Sequence, residues 1–314
     1  MRRLVWAAMG IALISMVFAN CKKEDPTYSV QVTATEGGTV EGQNGEYKEG
    51  ETVVFTAIPA DGYCFSQWSD GSTKNPRNIT IRNKDVSLAA LFFTTVDFGL
   101  ESGTLWATCN IGAANPWNYG DYYAWGETQT KDEYNWDTYK YQYRKGDWNL
   151  LTKYCYDAEY GNNGFTDALT TLVAADDAAT AAFGEGWAMS TNAEWRELGN
   201  QCYWVWTENY NNQNVRGYIV YKAKSEGDKG TKVFSDGTPS ASYSLADAHI
   251  FLPAAGDYFG SSVCDVGNYG RYWSSSLDEN TPYWAWYCFF DSSDVRPLFD
   301  SRSFGFSVRP VKRP

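Results

Sequence analysis

Residues 190–200 read STNAEWRELGN, and this run sets the first fixed point of the fold. Thr191 followed three places later by Glu194 is an S/T-x-x-E capping box, in which each side chain satisfies a backbone N–H near the other residue, and Gly199 is placed to stop the helix. Upstream, residues 166–184, TDALTTLVAADDAATAAFG, are rich in Ala and Leu, with Asp167 available as a cap and Gly184 as a stop. Residues 96–128 break into short strand-like pieces separated by Gly, Asn and Pro, and the chain returns to such pieces after residue 200. Two helices within a glycine-rich, aromatic-rich set of short strands predict an α+β domain over residues 96–314.

Residues 28–42, YSVQVTATEGGTVEG, alternate apolar and polar side chains and break at Gly37-Gly38. That is the pattern of a half-buried hairpin. Residues 51–71 and 78–92 repeat it, with Pro59, Gly62 and Asp70-Gly71 as turn punctuation, so residues 28–95 form a small all-β module. Its glycine-rich turn, its Phe65-x-x-Trp68 and its closing strand resemble the divergent internalin B-type repeat. That resemblance implies a spacer or stalk.

The N-terminus carries Arg2 and Arg3 ahead of an apolar run at 4–19, which is shorter than the ~20 residues of a membrane-spanning helix and reads as an export signal. The sequence Phe18-Ala19-Asn20-Cys21 resembles a bacterial lipobox, with Asn20 where a small residue is usual. The resemblance implies residues 1–20 as a lipoprotein signal peptide, a lipidated Cys21 and a linker at 21–27. Lys22-Lys23-Glu24-Asp25 looks like the charged tag of Bacteroidetes lipoproteins, implying an outer-membrane lipoprotein at the cell surface with the membrane as its first partner.

The chain of 314 residues has a net charge of −12, which excludes nucleic acid as a partner because phosphates require a basic patch. Fourteen Trp and 23 Tyr exceed what one core consumes and predict some wet aromatic faces. Such faces suit sugar rings, peptides and interface hot spots. Beyond Cys21, the cysteines Cys64, Cys109, Cys155, Cys202, Cys264 and Cys288 show no C-x-x-C spacing, so no structural zinc site is expected. One or two disulfides and an all-reduced, buried set both remain open.

Six segments, SGTLWATCNIGA, YGDYYAWGET, GWAMSTNAEWREL, FLPAAG, RYWSSS and GFSVRPV, stand in this order between residues 102 and 311. In that order they resemble the Fibrobacter succinogenes major paralogous domain and, behind it, the C-type lectin-like fold in its formylglycine-generating-enzyme branch. The resemblance implies a C-type lectin-like domain at 96–314. The cysteine pair on which oxidase-type enzymes of that fold rely has no counterpart, since RYWSSS stands at the comparable place and Cys264 and Cys288 lie outside any such motif. The calcium-binding signatures of sugar-binding lectins are also missing. His249 is the single histidine and is expected to be satisfied locally, leaving no Ser-His-Asp triad. Asp176-Asp177, Asp278-Glu279, Asp291, Asp294 and Asp300 do not read as a glycosidase pair. No catalytic residue, metal or cofactor is therefore expected.

The closing segment 285–311, AWYCFFDSSDVRPLFDSRSFGFSVRPV, alternates Ala285, Tyr287 and Phe289 with Trp286, Cys288 and Phe290, one set inward and the other outward. Phe306 and Val308 should lock the last strand into the core. Trp284, Trp286, Phe290, Arg296, Phe299 and Arg302 are of types enriched at hot spots. The layout also resembles the variable proteins of diversity-generating retroelements: Cys288, Phe290, Asp291, Asp294, Arg296, Leu298, Phe299, Asp300, Ser301, Ser303 and Phe304 are all reachable by adenine changes in AAC codons, and residues 280–311 hold no Lys, Gln, Met or Glu. The expected ligand surface is thus Trp284, Trp286 and those eleven positions, facing an extracellular protein or glycan. The competing expectation is a cell-envelope or fimbrial subunit that assembles through the same face.

Overall fold

The alternation at 28–34 becomes strand β1 (Thr27–Ala34), which buries Val30 and Val32 and exposes Gln31 and Thr33. The computed structural model describes residues 25–60, 62–145 and 150–314, so the signal peptide and Cys21 lie outside the described residues. β2 (Gly38–Glu41), β3 (Gly45–Lys48), β4 (Thr52–Pro59), β5 (Tyr63–Trp68), β6 (Arg77–Thr80) and β7 (Val86–Asp97) complete the first module. Its core gathers Val30, Phe55, Trp68, Ile79 and Ala90, and the Trp68 indole donates to the Lys74 carbonyl at 2.8 Å. At the break before β2, Gly37 sits at φ +102°, and a Cβ there would lie 2.1 Å from the Tyr63 ring, so only glycine fits.

Beyond it come β8 (Leu105–Ala107), β9 (Tyr122–Tyr123), α1 (Ala178–Phe183), β10 (Trp187–Met189), α2 (Asn192–Gln201), β11 (Cys202–Thr207), β12 (Gly217–Lys222), β13 (Lys232–Val233), β14 (His249–Pro253), β15 (Asp257–Phe259), β16 (Ser262–Cys264), β17 (Gly270–Leu277), β18 (Trp284–Asp291), β19 (Asp294–Ser301), β20 (Phe306–Ser307) and β21 (Pro310–Lys312). The sheet path β10-β21-β8-β7-β1-β3 crosses the boundary expected at residue 95. β7 pairs in parallel with β1 through Val86–Ala90, then antiparallel with β8 through Thr95, Val96 and Asp97. Phe93, Cys109 and Trp187 share one buried cluster, and Ser66 donates to the Ala113 carbonyl at 3.0 Å. The first module is therefore joined to the rest through a shared strand and a shared core.

Strand makes up 41% and helix 10% of the structure, with two α-helices among the described residues. This corrects the α+β, C-type lectin-like expectation: the architecture is rich in β-structure, with several sheets and two short helices as insertions. Much of the difference lies at 166–184, where only Ala178–Phe183 is α-helical. Ahead of it the chain runs extended, Leu172 donating its N–H to the Ser275 carbonyl at 2.9 Å and Thr171 bridging Ser276. Pairing of a β-branched stretch with a neighbouring strand outweighs the helix preference of the alanines. The cap is Asp177, which accepts from the N–H groups of Ala179 and Thr180, both at 2.9 Å. Asp167 instead accepts from the N–H groups of Tyr154 and Cys155.

The capping box at Thr191 and Glu194 forms on both sides, at 3.1 and 2.7 Å, and α2 runs past Gly199 to Gln201. Phe306 and Val308 are fully buried. The aromatic surplus divides among separate cores, and of the described tryptophans only Trp117, Trp136, Trp284 and Trp286 are half-buried, the rest buried. All six described cysteines are unpaired, four of them buried.

Candidate recognition face and cleft

β18 and β19 form an antiparallel hairpin in strict register from Trp284 opposite Ser301 to Asp291 opposite Asp294. At its turn the Asp291 carboxylate accepts from the Ser293 N–H at 2.7 Å and from its hydroxyl at 2.8 Å. Directly opposed residues share a face. One face carries Trp284, Trp286, Cys288 and Phe290 with Val295, Pro297, Phe299 and Ser301; the other carries Ala285, Tyr287, Phe289 and Asp291 with Asp294, Arg296, Leu298 and Asp300.

Both faces are partly covered. On the second, Ala285 and Tyr287 are buried in the cluster around Trp125, Trp273 and Phe306, with Phe289 and Leu298 packed against it. Asp300 is half-buried and burial raises its carboxyl above the ordinary range. Arg296 is exposed, pairs with Asp294 at 3.0 Å and lies 5.9 Å over the Phe289 ring. Phe304, beyond the hairpin, meets the exposed Phe259 edge-on at 5.0 Å.

On the first face the turn-proximal half is core. Phe290 is fully buried, 5.3 Å from the Tyr218 ring and 5.7 Å from that of Tyr272. Cys288 is buried as well, and burial pushes its thiol up to about 12. Ser301 and Ser303 are buried and share a 2.9 Å hydrogen bond. These four positions are corrected from ligand surface to interior: α2 and the β11–β12 sheet cover the side of the hairpin on which Cys288 and Phe290 lie. The open half holds Trp284, Trp286 and Phe299. Trp284 and Phe299 stack at 5.0 Å, and Trp286 meets Phe299 edge-on at 5.2 Å. Phe299 is the outermost, at 42% exposure.

Arg302 is also corrected, because it is a core residue. Its guanidinium donates to the Tyr139 hydroxyl at 2.9 Å and to the carbonyls of Tyr154, Pro282 and Lys153 at 3.0, 2.7 and 3.1 Å. It lies 4.9 Å over the Trp125 ring. Arg309 repeats the device, donating to Asn110 Oδ1, the Ala107 carbonyl and the Phe251 carbonyl. Neither has a carboxylate partner among the described residues; the charge is held by carbonyl and amide oxygens and, at Arg302, by aromatic faces as well.

A cleft enclosing about 120 Å³ opens beside the aromatic cluster, between α2 and β19, with Trp195, Trp204, Cys288 and Pro297 in its walls. Three cations line it, Arg196, Lys232 and Arg296, and no carboxylate does. Arg196 lies 5.5 Å over the Trp286 ring, joining cleft to aromatics. Lys232 donates to the carbonyls of Gly199 and Gly230 at 3.0 and 3.3 Å, and burial lowers its pKa. Sequence reasoning missed Arg196 and Lys232, which stand 90 and 54 residues before Trp286; Arg196 sits in the STNAEWREL motif but is placed at the cleft only by the packing of α2 on the hairpin, and Lys232 only by the pairing of β13 with β11.

Elsewhere, His249 is satisfied on both ring nitrogens, by the Tyr210 hydroxyl at 3.0 Å and the Asp247 carbonyl at 2.8 Å. Among the described residues no group of His, Cys, Asp and Glu is arranged to hold a metal ion, and no helix is long and apolar enough to cross a membrane.

Residues 28–95 match the family described as the divergent InlB B-repeat domain. No curated protein and no solved structure matches the chain. The family match therefore covers the N-terminal module, and the hairpin and its cleft lie outside it.

Proposed function

We propose that this chain is a lipoprotein anchored in the outer membrane through Cys21, displayed at the cell surface, and that its hairpin face and cleft bind an extracellular protein or glycan. The observation that carries the reading is the half-exposed cluster of Trp284, Trp286 and Phe299 beside a carboxylate-free cleft. Large rigid side chains of this kind bring contact area at low entropic cost, which is why such residues dominate hot spots. The ordered motifs resembling the major paralogous domain belong to the same reading as its source of scaffold residues, without the lectin-like fold. Retroelement diversification fits it only at the accessible positions Asp291, Asp294, Arg296, Leu298, Phe299, Asp300 and Phe304.

The test compares the full chain with the triple variant Trp284→Ala, Trp286→Ala, Phe299→Ala on a glycan array and on intact cells from the native community. Binding lost in a variant that melts unchanged supports recognition through this face. Binding that persists places recognition elsewhere. Concentration-dependent polymerisation of the wild type, lost in the variant, makes assembly the function. Cys21→Ser tests the anchor, because the chain should leave the membrane fraction.

A further inference from the structure

We infer that the ligand of this face is a carboxylated sugar, its ring against Phe299 and Trp286 and its carboxylate in the cleft at Arg196 and Lys232. The inference rests on the recognition function proposed above and names the chemical class it serves.

The charge distribution favours an acidic ligand. The chain carries −12 overall, yet the cleft wall holds three cations and no acid. Arg296 is already neutralised by Asp294. Arg196 is exposed and makes no ion pair with any described residue; its guanidinium rests over an indole, with its donors free to take a carboxylate in bidentate fashion. Lys232 gives two of its three N–H bonds to neutral carbonyls, Gly199 in the last turn of α2 and Gly230 before β13, leaving one donor; Asp294 acts on its charge without reaching ion-pair distance. A half-buried ammonium without a carboxylate at ion-pair distance favours an anion that enters the cleft.

Charge and aromatics also lie within one sugar's reach of each other. Trp286 and Cys288 are two residues apart on one face of β18, and the Arg196 guanidinium lies 5.5 Å from the Trp286 ring, so a single monosaccharide with its carboxyl group reaches from the aromatic cluster into the cleft. Aromatic side chains present an apolar ring to a sugar face, while the cleft fixes its charged end.

The edge of the hairpin favours a sugar over an acidic peptide. β19 is the edge of its sheet, the usual template for an added peptide strand. Pro297 stands in its middle, with no N–H to offer, and α2 packs over the same strand. Edge strands so interrupted do not accept another strand.

Titration calorimetry of the full chain against three pairs of probes tests this: tetragalacturonate and its methyl ester, a hyaluronan tetrasaccharide and its carboxyl-reduced form, and 3′-sialyllactose and lactose. At least one acidic probe should bind about tenfold or more tightly than its neutral partner. Arg196→Gln, at an exposed position that leaves the core intact, should erase that preference, and Lys232→Gln should reduce it. The triple aromatic variant should lose binding to both members of the pair. Equal binding of acidic and neutral partners overturns the inference while recognition through the aromatic face stands. Failure of the wild type to bind any of the six, or Arg196-dependent binding of a polyglutamate peptide instead, also overturns it. If the wild type also fails to bind intact cells, the proposed function falls with the inference; if it binds cells but none of the six probes, the inference alone falls.

Discussion

Replacing Arg302 by Met should unfold the protein far more readily than its position beside a surface hairpin implies. The side chain is fully buried and donates four hydrogen bonds, three of them to the main-chain carbonyls of Tyr154, Pro282 and Lys153. Met fills most of the volume but leaves those carbonyls without a donor, at about 1–3 kcal/mol each. The Tyr139 hydroxyl keeps its bond to the Trp125 carbonyl at 2.7 Å and loses less. Loss of the guanidinium over Trp125 at 4.9 Å adds about 1–2 kcal/mol. Against this, Met spares the desolvation of a charge, worth several kcal/mol. The balance is about 3–5 kcal/mol of lost stability, at the upper end of single substitutions. Urea unfolding followed by tryptophan fluorescence reads it as a lower midpoint at constant slope. Arg302→Lys should retain part of the network and cost about half as much, and the exposed Arg296→Ala should stay within about 0.5 kcal/mol. An Arg302→Met variant losing less than about 1 kcal/mol would refute the assignment of this arginine as the tie between the hairpin's end, the 153–154 turn and residue 282.

Other outcomes follow from the same geometry. Phe290→Ala should cost about 3–5 kcal/mol, as a fully buried ring removed from the core, and Phe299→Ala less than about 1 kcal/mol, so melting of the two variants checks which half of the face is interior. Burial raises the Asp176 carboxyl, but hydrogen bonds led by Lys153 and joined by Tyr154 and Lys140 hold it well below the usual carboxylate range. A depressed folded value contributes stability that is complete above the unfolded carboxylate pKa of about 4 and is lost as pH falls through the folded value. The Asp176 contribution should therefore be constant from pH 7 to about 5 and shrink below about 4, so Asp176→Asn should weaken the protein at pH 7 and lose less stability than the wild type on acidification. Deleting residues 25–85 should destabilise the remainder and raise its susceptibility to protease, because it strips β5 from β7, and with it Cys64 from the core of Phe93, Cys109 and Trp187 and the Ser66 bond to Ala113; an unchanged melting temperature would restore the picture of an independent stalk.

Local chemistry made several features legible without coordinates. The period-two pattern of residues 28–42, with Gly37 at its break, specifies two strands because alternation is a property of the strand itself; the hairpin expected there does not form, since β1 pairs with β3 and β7 while β2 pairs with β4 in another sheet. Thr191 and Glu194 specify the start of α2 because a capping box closes within four residues. Phe306 and Val308 are interior as their apolar character suggests, although the segment expected as one strand divides into β20 and β21 with Val308 between them.

What tertiary structure alone decided is which side of an alternating strand is wet. The sequence 284–290 separates two sets of side chains, and nothing in it says that a ten-residue helix almost a hundred positions earlier lies across half of one set. That packing, with the β11–β12 sheet beside it, turns Cys288 and Phe290 into core and leaves Trp284 and Trp286 half-exposed; the helix supplies Arg196 to the cleft and β13, paired with β11, supplies Lys232. The same limit explains the helix expected at 166–184: alanine preference is local and weak, and the strand at Ser275 that captures Leu172 is brought near only by the folded chain. Periodicity and caps are written in neighbouring residues, so sequence determines them; burial is a relation between distant segments, and packing determines it.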